Sequence, residues 1–136
     1  MIVAPLVKLF ELNDAVSLSK YGKLGYKTPF RDNLFFVKIT GFVIDIVDSE
    51  EKNYTFLRVD DGTGSIQVKF FGPNDKRKKM LKNVKLGDFV LVVGQLRHWR
   101  DSIYVRPISL QVLDFLKEIY YRYKIVKEYE KLMRRR

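Results

Sequence analysis

The sequence contains no cysteine and a single histidine, His98. The first absence excludes disulfides, thiolate catalysis and cysteine-ligated zinc, and the second leaves too few imidazoles for a histidine metal site or a catalytic triad. No apolar run approaches the roughly 18 residues of a membrane span, and the N-terminus lacks the h-region and cleavage site of a secretory signal. A soluble intracellular protein is expected. Acids are also in short supply: 16 Asp and Glu stand against 26 Lys and Arg, for a formal charge of +10 over 136 residues. That length fits one domain with a core of its own, and the imbalance favours a polyanionic partner. Plain solubility, or a thermophile's lysine-rich surface, is the alternative reading of the same charge.

The placement of the charge favours binding. Lys76, Arg77, Lys78, Lys79, Lys82 and Lys85 follow the lone acid Asp75, and the stretch from Lys117 to Arg136 has eight basic and three acidic residues. Asp45, Asp48, Glu50 and Glu51 instead collect in one short segment. This segregation implies a positive side and a negative corner. The final arginines alone say less, because cations also suit a helix C-terminus.

Strict alternation flanks the segment Asp60-Asp61-Gly62-Thr63-Gly64. Before it, Thr55, Leu57 and Val59 point one way and Tyr54, Phe56 and Arg58 the other; after it, Ile66, Val68 and Phe70 oppose Gln67, Lys69 and Phe71. One set suits a core. The other places rings, cations and an amide on an exposed sheet face, which costs solubility and suits a single-stranded nucleic acid: rings for bases, charges for phosphates.

The remaining chain is read as a lead-in over 1–32, with a short strand near Val7 to Phe10 and a helical turn at Glu11 to Leu18, then a loop marked by Gly22, Gly25 and Pro29. A long strand over Asn33 to Val47 carries Gly41, expected to mark a bulge. Strands follow at Asn53 to Val59 and Ser65 to Phe71. Gly72 and Pro73 open the lysine-rich connection, expected to be helical from Lys76 to Leu81. Further strands are expected at Asp88 to Leu96 and Ile103 to Ile108, with one helix from Ser109 onward. Five short antiparallel strands, a bent first strand and a connecting segment between the third and fourth describe an all-β, five-stranded OB-fold barrel over 33–108 with a long C-terminal helix over 109–136.

In that fold, ligands meet the face of the second and third strands and the loops between strands one and two and four and five. The first of these loops is acidic here. The second reads Arg97-His98-Trp99-Arg100-Asp101-Ser102, and a tryptophan between arginines suits a stacked base with its phosphates. The alternative is that Trp99 folds back as a lid over a barrel end. The binding set is therefore Lys38, Tyr54, Phe56, Arg58, Lys69, Phe71, Arg97, Trp99, Arg100, Tyr104 and Arg106.

The residues "VDDGTGSIQVKFF" at Val59 to Phe71, "KLGDFVLVVGQLRHW" at Lys85 to Trp99 and "VKITGFVIDI" at Val37 to Ile46 resemble the OB-fold family of the replication protein A middle subunit and the Stn subunit of the telomeric CST complex. The resemblance spans roughly Lys8 to the end of the chain. It implies stacking aromatics at Phe71, where the family more often has tryptophan, and at Trp99. The lead-in "VKLFEL" and the gapless "DDGTGSI" lean toward the telomeric subunit. It further implies single-stranded DNA binding in telomere end protection and DNA replication, and nuclear, chromosomal placement in a eukaryote or a nucleoid-associated one otherwise. It also implies a smaller OB-fold subunit, Ten-like or like the replication protein A small subunit, paired through the C-terminal helix.

That helix also speaks without the family. At 100° per residue, Val112, Leu116, Ile119, Tyr123 and Val126 share a face edged by Phe115, Tyr120 and Met133. This wide face is expected on the barrel. Opposite lies a narrower stripe of Tyr121, Ile125 and Leu132, and a helix resting on its own barrel needs only one stripe. The second suggests a partner, with a homodimer or incidental surface residues as alternatives. The partner-binding set is Leu116, Ile119, Tyr121, Tyr123, Ile125 and Leu132.

Nothing in the sequence assembles an enzyme. Asp60 and Asp61 are adjacent, whereas carboxylate catalysis and metal sites need groups converging from separate elements. Gly62-Thr63-Gly64 lacks the Lys-Ser/Thr and the following helix of a phosphate loop. No cofactor or metal is expected. Three binding roles stand: a single-stranded DNA-binding subunit, an RNA-binding OB module, and a scaffold subunit with weak nucleic-acid affinity.

Overall fold

The alternation around Asp60–Gly64 becomes a hairpin whose inner residues are buried and whose outer ones are not. The structure, a computed structural model, describes residues 3–49, 51–72 and 74–135; Glu50, Pro73 and Arg136, singled out above, lie outside the described residues. In chain order the elements are α1 (Leu9–Asn13), β1 (Val16–Ser17), a 3-10 turn (Ser19–Tyr21), β2 (Tyr26–Lys27), β3 (Phe36–Ser49), β4 (Tyr54–Asp60), β5 (Ser65–Phe71), α2 (Asn74–Leu81), β6 (Phe89–Trp99), β7 (Ser102–Val112) and α3 (Phe115–Arg134). β3 to β7 close a barrel in the order β3-β4-β5-β7-β6, and β1 and β2 pair separately. Thr55, Leu57 and Val59 of β4 and Ile66, Val68 and Phe70 of β5 point into the core, joined there by Val37, Ile39, Val92, Leu96 and Val105. Each buried Val, Leu or Ile contributes about 1.5–3 kcal/mol, so the register of this hairpin is fixed by its apolar side.

The hairpin turn also anchors the chain's beginning. Asp61 accepts from the backbone N–H groups of Leu9, Thr63 and Gly64, and Thr63 Oγ1 accepts from the N–H of Phe10. It therefore satisfies donors at the start of α1 that the helix cannot bond itself. The strand expected at Val7 to Phe10 reduces to a parallel bridge from Leu6 to Lys38, and the helix starts earlier than expected, at Leu9.

β3 leaves β6 for β4 at Phe42. The bulge expected at Gly41 lies at Ile44, between Val43 and Asp45. Gly41 is instead a close-approach residue: a Cβ there would sit 2.7 Å from the carbonyl oxygen of Asp60.

Two further expectations are corrected. The six-residue loop over Arg97 to Ser102 is a tight hairpin, with Trp99 paired to Ser102 and only Arg100 and Asp101 turning, Arg100 at φ 55°. The ladder pairs Arg97, His98 and Trp99 with Tyr104, Ile103 and Ser102 despite the polar composition. The last barrel strand runs on to Val112 rather than ending at Ile108, because Ser109 to Val112 pair with Val90 to Val93 of the buried β6. Helical spacing of a few apolar residues does not outweigh those ladder bonds. The start signal is Asp114, whose side chain accepts from the N–H of Lys117 at 2.9 Å.

α3 lies on the barrel by the face expected to be the outer one. Tyr121 packs on Phe89, Leu91 and Leu113, Tyr129 is buried, and Ile125 and Leu132 are half-buried. Leu116, Ile119, Tyr123 and Val126 face outward, with Leu116 76 % and Ile119 49 % exposed. The reason is Tyr129, which falls on the narrow stripe eight residues after Tyr121 and reaches a buried carboxylate. Its hydroxyl donates to Glu11, fully buried in α1, and accepts from the N–H of Lys8 at 2.8 Å.

Candidate nucleic-acid interface

Outward residues of β4, β5 and β7 together with Trp99 line an open groove of about 560 Å³: Tyr54, Phe56, Gln67, Lys69, Phe71, Trp99 and Tyr104. The register explains the grouping. Tyr54 sits opposite Phe71, Phe56 opposite Lys69, and the parallel β5–β7 pairing brings Gln67 opposite Tyr104. Two residues apart on one strand, the Tyr54 and Phe56 rings lie nearly parallel at 11°, with centroids 6.4 Å apart. Phe71 stands 6.2 Å from Tyr54 and 6.4 Å from Tyr104.

Phe71 is 50 % and Trp99 64 % exposed, and the fold leaves both without a core to fill. Trp99 ends β6 on the groove rim rather than lying over a barrel end, and the Arg100 guanidinium stands 5.7 Å from its ring. The Lys69 ammonium lies 4.6 Å from the Tyr104 centroid, a cation–π contact that holds positive charge at the middle of the groove. No carboxylate among the described residues lines this surface. Stacking planes and a cation without a competing acid are what an unpaired strand requires.

The other sequence-selected residues distribute around it. Arg58 turns to the side: its Nη1 donates to Ser65 Oγ at 3.1 Å, and it lines a neighbouring polar cleft with Gln67 and Asp101. Arg97 is exposed on another flank, its Nε and Nη2 both donating to Gln95 Oε1. Arg106 is exposed on β7 outside the groove lining. Lys38 lies on β3 beside the lead-in, where its carbonyl accepts from Val7 and its N–H donates to the Pro5 carbonyl, away from the groove. Gln67 is the groove residue absent from the sequence-selected set, although its outward position was legible from the alternation.

The expected positive side is also modified. Arg77 of the lysine-rich segment is buried, donating to Asp48, to Thr55 and to the carbonyl of Gly72. Asp48, part of the expected negative corner, is thereby paired.

His98 is a strand residue whose Nδ1 shares a 2.7 Å hydrogen bond with the Tyr26 hydroxyl. Burial raises the pKa of Tyr26, opposed by the nearby Arg97 charge and reinforced by Tyr104.

A family model for the OB-fold nucleic acid binding domain matches residues 37–117. No curated protein sequence matches. Among solved structures, the chain is similar to one in the S. pombe Stn1–Ten1 complex, at 19 % identity over 98 % of this chain and 96 % of that one, with a TM-score of 0.80. It is likewise similar to a chain of a replication protein A heterotrimer bound to single-stranded DNA, at 15 % identity over 96 % and 98 %, TM-score 0.75. A shorter likeness, to an OBody bound to hen egg-white lysozyme, has 17 % identity over 58 % of this chain and 78 % of that one, TM-score 0.50. At these identities the structures establish the shared fold, and the first two extend it over nearly the whole chain. The family match covers the barrel from Val37 through the start of α3, and on it the chain belongs to the OB-fold nucleic acid binding domain family.

Proposed function

We propose that this chain is a single-stranded DNA-binding subunit of a heteromeric complex like replication protein A or CST. It would act in telomere end protection and DNA replication in the nucleus, pairing with a smaller OB-fold subunit through α3. The observation that carries the binding role is the groove, where five aromatic side chains and Lys69 share one exposed sheet face with no carboxylate among the described residues. Bases stack on Tyr54, Phe56, Phe71, Tyr104 and Trp99, while Lys69 and Arg100 take phosphates, with Arg58, Arg97 and Arg106 at the flanks. The full-length likeness to chains of an Stn1–Ten1 complex and of a replication protein A heterotrimer bound to single-stranded DNA supports this assembly class. For pairing, the support is the outward face of α3, where Leu116, Ile119, Tyr123 and Val126 form an apolar stripe that the barrel leaves uncovered.

Anisotropy titration with labelled oligonucleotides tests the binding role. A single strand is expected to bind more tightly than the same sequence as duplex, with log affinity falling by about 0.7 per neutralised phosphate against log salt. Phe71→Ala with Trp99→Ala is expected to weaken binding by at least about tenfold, since each stack is worth about 1–3 kcal/mol. Unchanged affinity in that variant would sink the stacking mechanism, and RNA bound more tightly than DNA would move the reading to an RNA module.

A further inference from the structure

The lead-in, which sequence reading left without a role, builds the wall of a second cavity of about 240 Å³ on the flank of the groove. Lys23, Leu24 and Tyr26 form one side and Arg97, His98 and Tyr104 the other; Tyr104 also lines the groove, so the two spaces adjoin across one ring.

This wall is held in place. Val16 and Ser17 pair with Lys27 and Tyr26, and the N–H of Leu18 donates to the Gly25 carbonyl at 3.0 Å. Gly25 takes φ 107° against Asn33, where a Cβ would stand 1.9 Å from the side-chain oxygen. Tyr26 is buried, and its hydroxyl ties the hairpin to β6 through His98.

The surface so held carries groups the fold does not use. Leu24 is 77 % exposed, Lys23 is exposed beside it, and Tyr21 stands outward with the Lys20 ammonium 5.2 Å from its ring. No acid among the described residues lines the cavity. Cations with apolar and aromatic surface, continuous with the stacking groove, suit an anionic chain that carries flat bases.

We propose that the β1–β2 hairpin extends the single-strand path, seating a further nucleotide beyond Tyr104 with its phosphate held by Lys23 and Arg97 and its base against Leu24 and Tyr104. This rests on the reading that the groove itself binds a single strand. An acidic peptide would also meet the cations, but it would make no use of the adjoining rings.

The test is the length dependence of binding to oligo(dT). Wild-type affinity is expected to rise with length until groove and cavity are both filled. Lys23→Ala with Leu24→Ser, both exposed, is expected to retain the melting temperature and the affinity for the shortest oligonucleotide that binds. It should weaken the longer ones about fivefold or more and reduce their log–log salt slope by about 0.7, the loss of one phosphate contact. A terminal 5-iodouracil on the longer strand should crosslink within residues 17–27. Length dependence and salt slope equal to wild type would overturn the extension while leaving the groove intact. Polyglutamate competing as well as oligo(dT) would also overturn it. If the wild type bound no single strand of any length, the groove reading itself would fail and carry the extension with it.

Discussion

Glu11 is fully buried, and the groups that satisfy its carboxylate come from separate parts of the chain: the Thr28 hydroxyl at 2.6 Å, the Arg31 guanidinium and the Tyr129 hydroxyl. Burial of a carboxylate is tolerated only with such partners. Tyr129 meets Phe30 edge-on with centroids 5.4 Å apart, so ring and hydroxyl are both engaged. Tyr129→Phe keeps the ring but leaves the Lys8 N–H and one Glu11 oxygen without this partner, and should cost about 1–3 kcal/mol, read as a lower melting temperature. The same residue gives a pH signature. Burial, followed by the hydrogen bond to Glu11, raises the Tyr129 pKa above its ordinary value of about 10. The folded state thus holds the proton more tightly than the unfolded one, so this contribution is complete below about pH 10 and is lost as pH rises further. Melting temperature should fall more steeply above that pH in wild type than in Tyr129→Phe; parallel curves would show that Tyr129 carries no such linkage.

Among the elements, α3 shows most directly why one face of a helix can be misassigned. Counting apolar residues ranked Leu116, Ile119, Tyr123 and Val126 as the core face, and period alone supports that ranking. What decides the orientation is polar: Tyr129 must reach Glu11, and Glu128 lies 3.5 Å from Arg31. A tertiary partner more than a hundred residues away leaves no local mark in the sequence. β4 and β5 were legible because their alternation and the turn between them are local, whereas the full extents of β6 and β7 depend on pairing with each other. Within the groove, Tyr54, Phe56, Lys69, Phe71, Trp99 and Tyr104 were readable from sequence, while the flank built by Lys23, Leu24 and Tyr26 required the tertiary fold. The orientation of α3 moves the proposed pairing surface to its outward face and yields a paired experiment. Ile119→Glu with Tyr123→Glu, at outward positions, should leave the melting temperature nearly unchanged and abolish co-purification with a co-expressed smaller OB-fold subunit. Tyr121→Ala, which strips a ring from Phe89, Leu91 and Leu113, should instead destabilise by about 2–4 kcal/mol. A charged outward pair that leaves co-purification intact would remove α3 as the pairing surface.

At the scale of the molecule, the residues that line the groove and those that lock the lead-in to α3 form separate sets. The groove uses β4, β5, β7 and the end of β6, and no residue of α3 lines it. Outside that lining, α1, the loop at Thr28 to Arg31 and α3 meet through Glu11, with Phe10 and Phe30 both against Tyr129. Ending the chain at Leu113 would take away the Tyr129 hydroxyl and ring at once, leaving Glu11 and Arg31 paired but newly solvated and two phenylalanines uncovered. Deleting a large buried aromatic side chain such as Tyr129 costs about 3–5 kcal/mol, a large fraction of the stability of a domain this size. The truncated protein should therefore melt at least about 5 °C lower, with faster amide exchange across residues 9–13 and 28–31. Exchange in β4 and β5 should change least, because their ladder and core contacts do not involve α3. If any folded fraction retains wild-type affinity for a short oligo(dT), binding and end-locking are separable, as their placement on the barrel requires. An unchanged melting temperature would instead make α3 an appendage, and the Glu11 cluster would then contribute nothing to holding the lead-in against the barrel.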